Sequence, residues 1–268
     1  GQERVVVAGG SESASHAPPG RAQFAPVDVG DPDMGVAAET VAREAGVTRE
    51  RQDAYAARSH ARALAARVDG RFDAEIVPLA DMDTDDRPRA ISEARLARLR
   101  PAFVDDGTVT AGNSCGVSDG AAAVVVVPEW LRAERRWPGL RIVSVGRAGI
   151  DPNRCGLGLV PATEQALQGA GIGVADLGTV EIVEAFAGQV LAGADALGIS
   201  EHLICPDGGA LAIGHPWGAS GSVIVVRLFS RMVRQRLLDP TTPYGLAAVA
   251  AGGGQGVAVV VEPVGVER

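Results

Sequence analysis

Short apolar runs alternate with helical segments along this chain, and this alternation is the feature that most limits its fold. Apolar runs at 121–127, 140–145, 180–182, 245–251 and 257–262 have the length and composition of strands. Glycine-rich turns end or join several of these runs, and the segments between many of them carry the capping residues typical of helices. Strands that alternate with helices predict an α/β protein.

Helical composition predicts five main helices. They are expected at 34–45, 48–68, 161–170, 184–197 and from about 216 onward. Gly46 and Gly70 are good stop residues for the first two, and Thr48 is a good N-cap for the second. A short basic amphipathic piece at 93–100 is expected to be a solvated helix face, with contact to a ligand's phosphates as the alternative. The charged, proline-containing stretch 81–89 predicts a surface loop.

The first apolar run, Val5 to Gly10, has the composition of a buried parallel strand that ends in a glycine turn. Such a strand is expected to have neighbours on both edges, which would place this run in the middle of a sheet. Two interpretations stay open. Either the earlier strands come from another polypeptide, or the chain is a piece of a longer protein.

Composition limits the class of protein further. The chain of 268 residues is 46% hydrophobic, typical of globular proteins, and its 35 glycines with only 4% aromatics predict helices packed closely on sheets. A net charge of −8 argues against general nucleic-acid binding. No apolar run approaches the roughly 20 residues of a membrane helix, and no signal peptide is recognisable. The three cysteines lack metal-ligand spacing and indicate a reducing compartment, so we expect a cytoplasmic protein without a metal site.

The stretch Gly208 to Ser222 holds the best candidate for catalysis. His215 lies directly before Pro216, which favours the first turn of a helix for itself and disfavours helical geometry for the residue before it. His215 is therefore expected at a helix N-terminus, where the helix dipole opposes its protonation. A neutral imidazole can donate a hydrogen bond to a developing oxyanion or accept a proton. The alternative is a glycine-rich turn in which the histidine only caps the helix.

Three glycine-rich turns, at 112–120, 208–222 and 252–256, allow close approach of backbone to ligand and can aim N–H groups at an anion. None contains the Gly-Lys-Ser/Thr of a P-loop, and none fits the dinucleotide-binding fingerprint. Each turn alone is a weak indication of a ligand. Together, with His215 among them, they indicate a site.

Five stretches of the chain resemble the thiolase family, including its histidine loop, its Asn-Glu-Ala-Phe loop and its last glycine turn. They are RERQD at 49–53 with SH at 59–60, DGTVTAGN at 106–113 with DGAAA at 119–123, VEAFA at 183–187, GGALAIGHPWGASG at 208–221 and GGGQG at 252–256. The resemblance spans Val5 to Glu262, in order and at the family's spacing.

The resemblance implies a thiolase-like five-layer αβαβα fold, built from two βαβαβαββ halves. It places the C-terminal half at 137–268, and a loop domain that covers the pantetheine of coenzyme A at 11–100. Residues 1–10 and 101–136 would be the remainder of the N-terminal half, which is therefore incomplete and has only its last two strands.

The resemblance also implies the residues of the site. His215 and the N–H of Gly252, one donor of an oxyanion hole, would be catalytic. The positions that match the family's coenzyme A channel are Leu99, Phe103, Ala111, Cys115, Cys155 and Phe186. Two of these depart from the family, because Cys115 stands in place of a serine and Cys155 in place of a methionine.

Other family residues have no counterpart in this chain. The nucleophilic cysteine, which carries the acyl group, lies upstream of the Val5 strand in the family. The second catalytic cysteine corresponds to Ala250 here, and the asparagine that orients a water in one oxyanion hole corresponds to Val183. Cys115, in a glycine turn after a strand, is the best candidate for a replacement nucleophile, although packing is the favoured role for it.

The resemblance implies an acyltransferase that forms or cleaves carbon–carbon bonds on coenzyme A thioesters, in fatty-acid or polyketide metabolism. The thioester is the substrate, and no permanently bound cofactor is expected. A companion polypeptide would supply the nucleophilic cysteine, within a homo- or hetero-oligomer. The alternative is a non-catalytic subunit that binds coenzyme A or stabilises an active partner. Neither nucleic acid nor a membrane is an expected partner.

Overall fold

The computed structural model describes residues 5–18, 20–80 and 82–266, and these residues form two β-sheets. The first is an antiparallel pair, β1 (Val6–Ser13) and β2 (Asp119–Val126). The second contains β3 (Gly139–Gly149), β4 (Leu177–Ile182), β5 (Tyr244–Ala251) and β6 (Gln255–Val264). Its strand order is β3-β6-β5-β4, in which β4 and β5 are parallel and the other neighbours antiparallel.

The helices lie between these strands. They are α1 (Met34–Glu44), α2 (Arg49–Val68), α3 (Glu93–Leu96), α4 (Glu129–Arg135), α5 (Leu159–Ala170), α6 (Ala187–Leu197), α7 (Ala210–Ile213) and α8 (Trp217–Phe229). α8 continues as a π-helical turn over Ser230–Arg234. The predicted N-cap Thr48 is confirmed, since its side chain accepts a hydrogen bond from the N–H of Arg51.

The two faces of the larger sheet carry different cores. Leu246 and Ala248 of β5 pack with α5 and α6, whereas Ala247 between them packs with Ile224 and Leu228 of α8. This alternation is the period of two that a strand imposes on its side chains. α8 also contacts β1 and β2 on its other side. The layers therefore run from sheet to helix to sheet to helix, which confirms the predicted α/β architecture.

Close helix–sheet packing depends on glycine, as the composition predicted. A Cβ on Gly10 of β1 would lie 1.8 Å from the carbonyl oxygen of Gly218 in α8, and one on Gly146 of β3 would lie 1.8 Å from that of Ala162 in α5. No side chain fits at such distances. These two helices therefore approach their sheets at positions that only glycine allows.

The prediction for the first apolar run is wrong. Val5 to Gly10 was expected to be a buried parallel strand, but β1 is antiparallel to β2 and its valines are exposed, Val7 by 71%. Gly9 and Gly10 continue the strand instead of ending it. The apolar composition suggested two covered faces, whereas only the face toward α8 is covered in the described structure.

Other differences concern the ends of helices. α6 begins at Ala187 and not at Glu184, because the residues before it are extended, and α3 stops at Leu96. α7 was not predicted, and it lies within the glycine-rich stretch. Of the predicted loop at 81–89, Asp81 lies outside the described residues, and 82–89 contain only an isolated bridge from Met82. No helix in the described ranges is long and apolar enough to cross a membrane.

Candidate active site

His215 lies in the short connection between α7 and α8, directly before the N-cap Pro216, as predicted. Gly214 enters this connection with a φ of 103°, and a Cβ there would lie 2.4 Å from the hydroxyl of Ser118. Glycine is therefore required before the histidine. The backbone N–H of His215 donates to the same Ser118 hydroxyl at 3.3 Å, which ties the histidine loop to the segment after Cys115.

Ser220 is the hydrogen-bond partner of the His215 ring. The Nδ1 of His215 lies 2.7 Å from Oγ of Ser220, and that hydroxyl donates its hydrogen to the carbonyl of Pro216 at 2.9 Å. A serine hydroxyl has one hydrogen to donate, so while it donates to Pro216 its Oγ accepts from an Nδ1–H. Nε2 of the neutral ring therefore carries the free lone pair, and the imidazole can act as a base.

Burial keeps the imidazole neutral. It lowers the pKa of His215 to about 4, because the charged form loses its hydration. At neutral pH the ring is thus an uncharged base with its acceptor nitrogen free, as a general base requires.

Cys115 and Phe186 are brought together by two paired loops. The N–H of Cys115 donates to the carbonyl of Ala185 at 2.9 Å, and the N–H of Ala187 donates to that of Asn113 at 2.9 Å. The amide of Asn113 is in turn fixed by a hydrogen bond to Asp53 at 2.9 Å. Burial raises the pKa of Cys115 to about 11, so its sulfur is a thiol at neutral pH.

The other predicted channel positions lie next to this pair. The rings of Phe103 and Phe186 meet edge to face, with centroids 5.9 Å apart. Leu99 packs over Gly112, where a Cβ would lie 2.6 Å from its Cδ1, and Ala111 is the neighbouring residue. Leu99 and Phe103 stay 37% and 40% exposed. These residues form one partly open apolar surface.

Cys155 is connected to the same apolar surface by a contact with Met34. Its buried Sγ lies 4.0 Å from Sδ of Met34, the first residue of α1. The next residue, Gly35, lies beneath the ring of Phe103, where a Cβ would come within 2.1 Å of it. Burial raises the pKa of Cys155 as well.

Gly252 lies apart from this group. Its turn joins β5 to β6 and is fastened by the N–H of Ile150, which donates to the carbonyl of Gly254 at 2.7 Å. The ring of Phe24 covers Gly252, since a Cβ there would lie 2.4 Å from it. None of the hydrogen bonds among the described residues links this turn to His215, so its role as an oxyanion donor stays a prediction.

Glu184 in the VEAFA segment fastens the histidine loop to α2. Its carboxylate accepts from the hydroxyls of Tyr55 and Ser59, each at 2.8 Å, and from the N–H of Leu211 at 3.1 Å. Burial raises the pKa of Glu184 against the effect of these donors. The site is thus positioned by a buried polar network between α2, the segment after β4, and α7.

Sequence reasoning missed Ser220 and Arg87. Ser220 lies in the first turn of α8, four residues after Pro216, and this helical spacing, at which its hydroxyl donates to the carbonyl of Pro216, was a usable signal. Arg87 donates to the carbonyl of Val117 at 3.0 Å and lies against Gly116 and Gly214. It reaches them from a charged loop 30 residues away in sequence, and no local pattern indicates such a contact.

The layered fold, the histidine loop and the paired loops beside it define the class of protein. The model of the thiolase N-terminal domain matches residues 1–130, and that of the thiolase C-terminal domain matches residues 137–263. The chain therefore belongs to the thiolase family, and its class is that of a thiolase-type acyltransferase.

Among known proteins, the chain is 42% identical to the acetyl-CoA acetyltransferase of Escherichia coli K12 over 292 residues, which cover 98% of this chain and 73% of that protein. It is 40% identical to the beta-ketothiolase BktB of Cupriavidus necator, with the same coverage. The crystal structure of human mitochondrial 3-ketoacyl-CoA thiolase in complex with CoA superposes with a TM-score of 0.87 at 36% identity, covering 96% of this chain and 70% of the human chain. These similarities confirm the predicted fold.

Proposed function

We propose that this chain is an acyltransferase subunit that binds an acyl-CoA thioester and takes its nucleophilic cysteine from a companion polypeptide. The observation that carries this proposal is the neutral His215, whose Nδ1 is held by Ser220 and whose Nε2 is free to accept a proton. The names of the relatives support the substrate class, as does the CoA bound by the human thiolase. Carbon–carbon bond formation or cleavage in fatty-acid or polyketide metabolism belongs to the same proposal.

In the proposed reaction, Nε2 of His215 accepts the proton of the companion's thiol, and the thiolate attacks the carbonyl of the acyl-CoA thioester. The bond from the acyl carbon to the CoA sulfur breaks, and the imidazolium returns its proton to that sulfur. The products are an acylated companion cysteine and free CoA. The N–H of Gly252 would hold the oxyanion, a contribution typically worth about 10²–10³ in turnover.

The pKa values of the three cysteines in this chain favour a nucleophilic cysteine that belongs to another polypeptide. Burial raises the pKa of Cys115 to about 11, raises that of Cys155, and raises that of Cys205 well above its ordinary value. A reactive cysteine needs a lowered pKa, because the thiolate is the nucleophile. None of the three is therefore suited to carry the acyl group. All three are free thiols, which suits a reducing cytoplasm.

The apolar surface of Leu99, Phe103, Ala111 and Phe186, with Cys115 and Cys155 beside it, is the proposed channel for pantetheine. Its partial exposure leaves it accessible to a ligand. We assign 11–100 to the cover over this channel, 1–10 with 101–136 to the N-terminal half, and 137–268 to the C-terminal half.

The outer face of the β1–β2 sheet is the proposed contact with the companion. Val7 and Val125 are directly paired across the two strands and are 71% and 65% exposed. Ala123 lies beside them on the same face. An apolar sheet face of this kind is stabilised when another chain covers it.

A second candidate function is a subunit that binds coenzyme A without catalysis. It is favoured by Val183 and Ala250, which have no acid/base group where the thiolase family has catalytic side chains. Losing a general acid or base typically costs about 10²–10⁴ in rate. This candidate predicts binding without turnover.

The deciding experiment is reconstitution. The purified chain is mixed with the products of neighbouring genes, and release of free CoA from radiolabelled acetyl-CoA is measured together with acylation of each polypeptide. We expect label on a cysteine of one companion, and at least a hundredfold less with His215→Ala. His202→Ala, at an exposed histidine, is the matched control and should behave as the wild type.

Three outcomes separate the candidates. Label on Cys115, Cys155 or Cys205 would contradict the external cysteine, and undiminished acylation with His215→Ala would contradict the role of the imidazole. Calorimetric titration with CoA that shows binding, in the absence of turnover with every companion, would establish the non-catalytic subunit instead.

A further inference from the structure

A small cavity lies beside the histidine loop, where Gly214, which precedes His215, and Ser220, which contacts its ring, are part of the lining. It measures about 20 Å³ and lies between the end of β4, the connection into α7 and the first turns of α8. Its lining is mostly backbone and apolar side chains, with three polar side chains: Glu181, Ser220 and Arg227. A cavity of this size is large enough for one water molecule, which needs two to four polar partners.

The polar groups around this cavity are incompletely paired. Arg227 is 2% exposed and forms ion pairs with Glu75 and Asp207 through its terminal nitrogens. Its Nε is buried and has no hydrogen-bond partner among the described residues. An unpaired buried N–H is costly, because it has lost its hydration without gaining a partner.

Glu181 lines the same cavity. It is 2% exposed, and within the described part of the chain it forms no ion pair with Arg227, although the charge of Arg227 acts on it. Two polar groups that face one cavity without touching are commonly bridged by water. Burial raises the pKa of Glu181 to about 8, so its carboxyl is protonated at neutral pH and can donate a hydrogen bond.

We propose that Glu181, Arg227 and Ser220 hold one water molecule in this cavity, and that the water connects the Glu181 carboxyl to the hydroxyl that orients His215. The water accepts from Nε–H of Arg227 and from the carboxyl of Glu181. It donates to Oγ of Ser220, which has a second lone pair free after accepting from His215. Glu181 is thus a positioning residue for His215. Its importance for catalysis rests on the proposed function, whereas the water site does not.

The charged surroundings of Glu181 determine how the connection responds to pH. Arg227 faces it from α8, Asp207 and Cys205 from the connection before α7, and Glu184 from the segment after β4, and the thiol of Cys205 donates a hydrogen bond to it. When Glu181 loses its proton, the water donates its second hydrogen to the carboxylate, and the new negative charge polarises the hydrogen bonds that run from the water through Ser220 to His215. The hydrogen bond between Ser220 and His215 then changes, although His215 itself stays neutral.

The test follows the ring-nitrogen and ring-proton NMR signals of His215 from about pH 6 to about pH 10. In the wild type we expect a titration step near pH 8 from Glu181. Glu181→Gln, which is neutral throughout, should abolish the step while keeping the Nδ1–H tautomer. Glu39→Gln, at a buried glutamate held by Thr108 and Val109 instead, should retain it.

A second pair of variants tests the water itself. Val223 lines the cavity, whereas Val225 on the same helix does not. Val223→Ile should fill the cavity, remove the water from a high-resolution crystal structure and abolish the step, and Val225→Ile should do neither. No water density in the wild-type cavity, or an unchanged step in Glu181→Gln, would overturn the inference.

The activity of the reconstituted enzyme is a separate readout. We expect the wild type to show an inflection of kcat near pH 8 that Glu181→Gln lacks, with KM unchanged. If no companion yields turnover, the NMR and crystallographic results still decide the water site. Failure of the proposed function and failure of this inference are therefore distinguishable.

Discussion

At the scale of the residue, the chemistry of the site depends on one hydroxyl. Oγ of Ser220 lies 2.7 Å from Nδ1 of His215 and donates to the carbonyl of Pro216, and we expect this arrangement to select the Nδ1–H tautomer. An imidazole without such a partner exchanges between two tautomers, and only one of them presents Nε2 as a base.

The variant Ser220→Ala is expected to allow both tautomers of the His215 ring. Long-range proton–nitrogen NMR spectra of His215 should change from a single Nδ1–H tautomer to a mixture. Acylation in the reconstituted enzyme should fall about tenfold to a hundredfold, a part of what a general base contributes. Ser220→Thr keeps the hydroxyl and should restore the single tautomer. A single unchanged tautomer in the alanine variant would show that Ser220 does not set it.

His60 provides a prediction for stability against pH. It is 4% exposed, and burial together with Arg89 and Arg87 lowers its pKa from 6.5 to about 4. The folded state therefore favours the neutral ring. Its contribution is fully present above pH 6.5 and is lost as the pH falls toward 4, on the order of 2–3 kcal/mol in free energy of unfolding.

Urea unfolding of the wild type and of His60→Gln, measured at intervals between these pH values, tests this expectation. The glutamine keeps an uncharged acceptor for the N–H of Arg89, which now donates to Nδ1 of His60 at 3.4 Å. The variant should lose less stability on acidification than the wild type. His202→Gln, at an exposed histidine, should follow the wild type. Parallel curves for wild type and His60→Gln would contradict the assignment.

At the scale of the element, α8 is the helix on which both sheets depend. One side packs on β4 and β5 and the other on β1 and β2, and its first turn holds the hydroxyl that orients His215. Its close approach to β1 requires glycine at position 10, where a Cβ would lie 1.8 Å from the carbonyl oxygen of Gly218. A side chain at this position would push the strand away from the helix.

Gly10→Ala is therefore expected to destabilise the protein by about 1–3 kcal/mol, the usual cost of overpacking. Gly149→Ala is the matched control, because Gly149 is also a strand glycine but its Cβ would meet open space. That variant should stay within about 0.5 kcal/mol of the wild type. Thermal or urea unfolding measures both. Equal stabilities would mean that β1 shifts away from α8 without cost.

At the scale of the whole molecule, the two sheets are covered unequally. The larger sheet has a core on each face, whereas the β1–β2 sheet packs on α8 with one face and exposes valines on the other. Burying a valine side chain is worth about 1.5–3 kcal/mol, so this face is the strongest candidate for association.

Val7→Lys and Val125→Lys are expected to weaken association, either with a companion or between copies of the chain, by about tenfold or more in Kd. Sedimentation velocity over a concentration series measures this. Val68→Lys and Val77→Lys are the controls, since these valines are 86% and 85% exposed but lie at the end of α2 and beyond it. Association that all four variants leave unchanged would place the contact elsewhere.

Much of the fold and part of the site could be predicted from local patterns. The cap Thr48, the stop residues Gly46 and Gly70, and the strand runs from 121 onward depend on neighbours in sequence, and the structure confirms them. The position of His215 at a helix N-terminus followed from Pro216 alone. The ends of α6 and the exposure of β1 could not be predicted in this way, because they depend on which distant segments cover each face.

By itself, the sequence determined the α/β class, the resemblance to thiolases and the residue best placed to act as a base. Only the tertiary structure decided that Ser220 contacts Nδ1 of His215, that burial raises the pKa of Cys115, and that Glu181 and Ser220 line one cavity. The physical reason is the sequence separation between the groups that interact. Caps and turns are settled within a few residues, whereas tautomers, desolvation and cavities depend on groups that only the folded chain brings together.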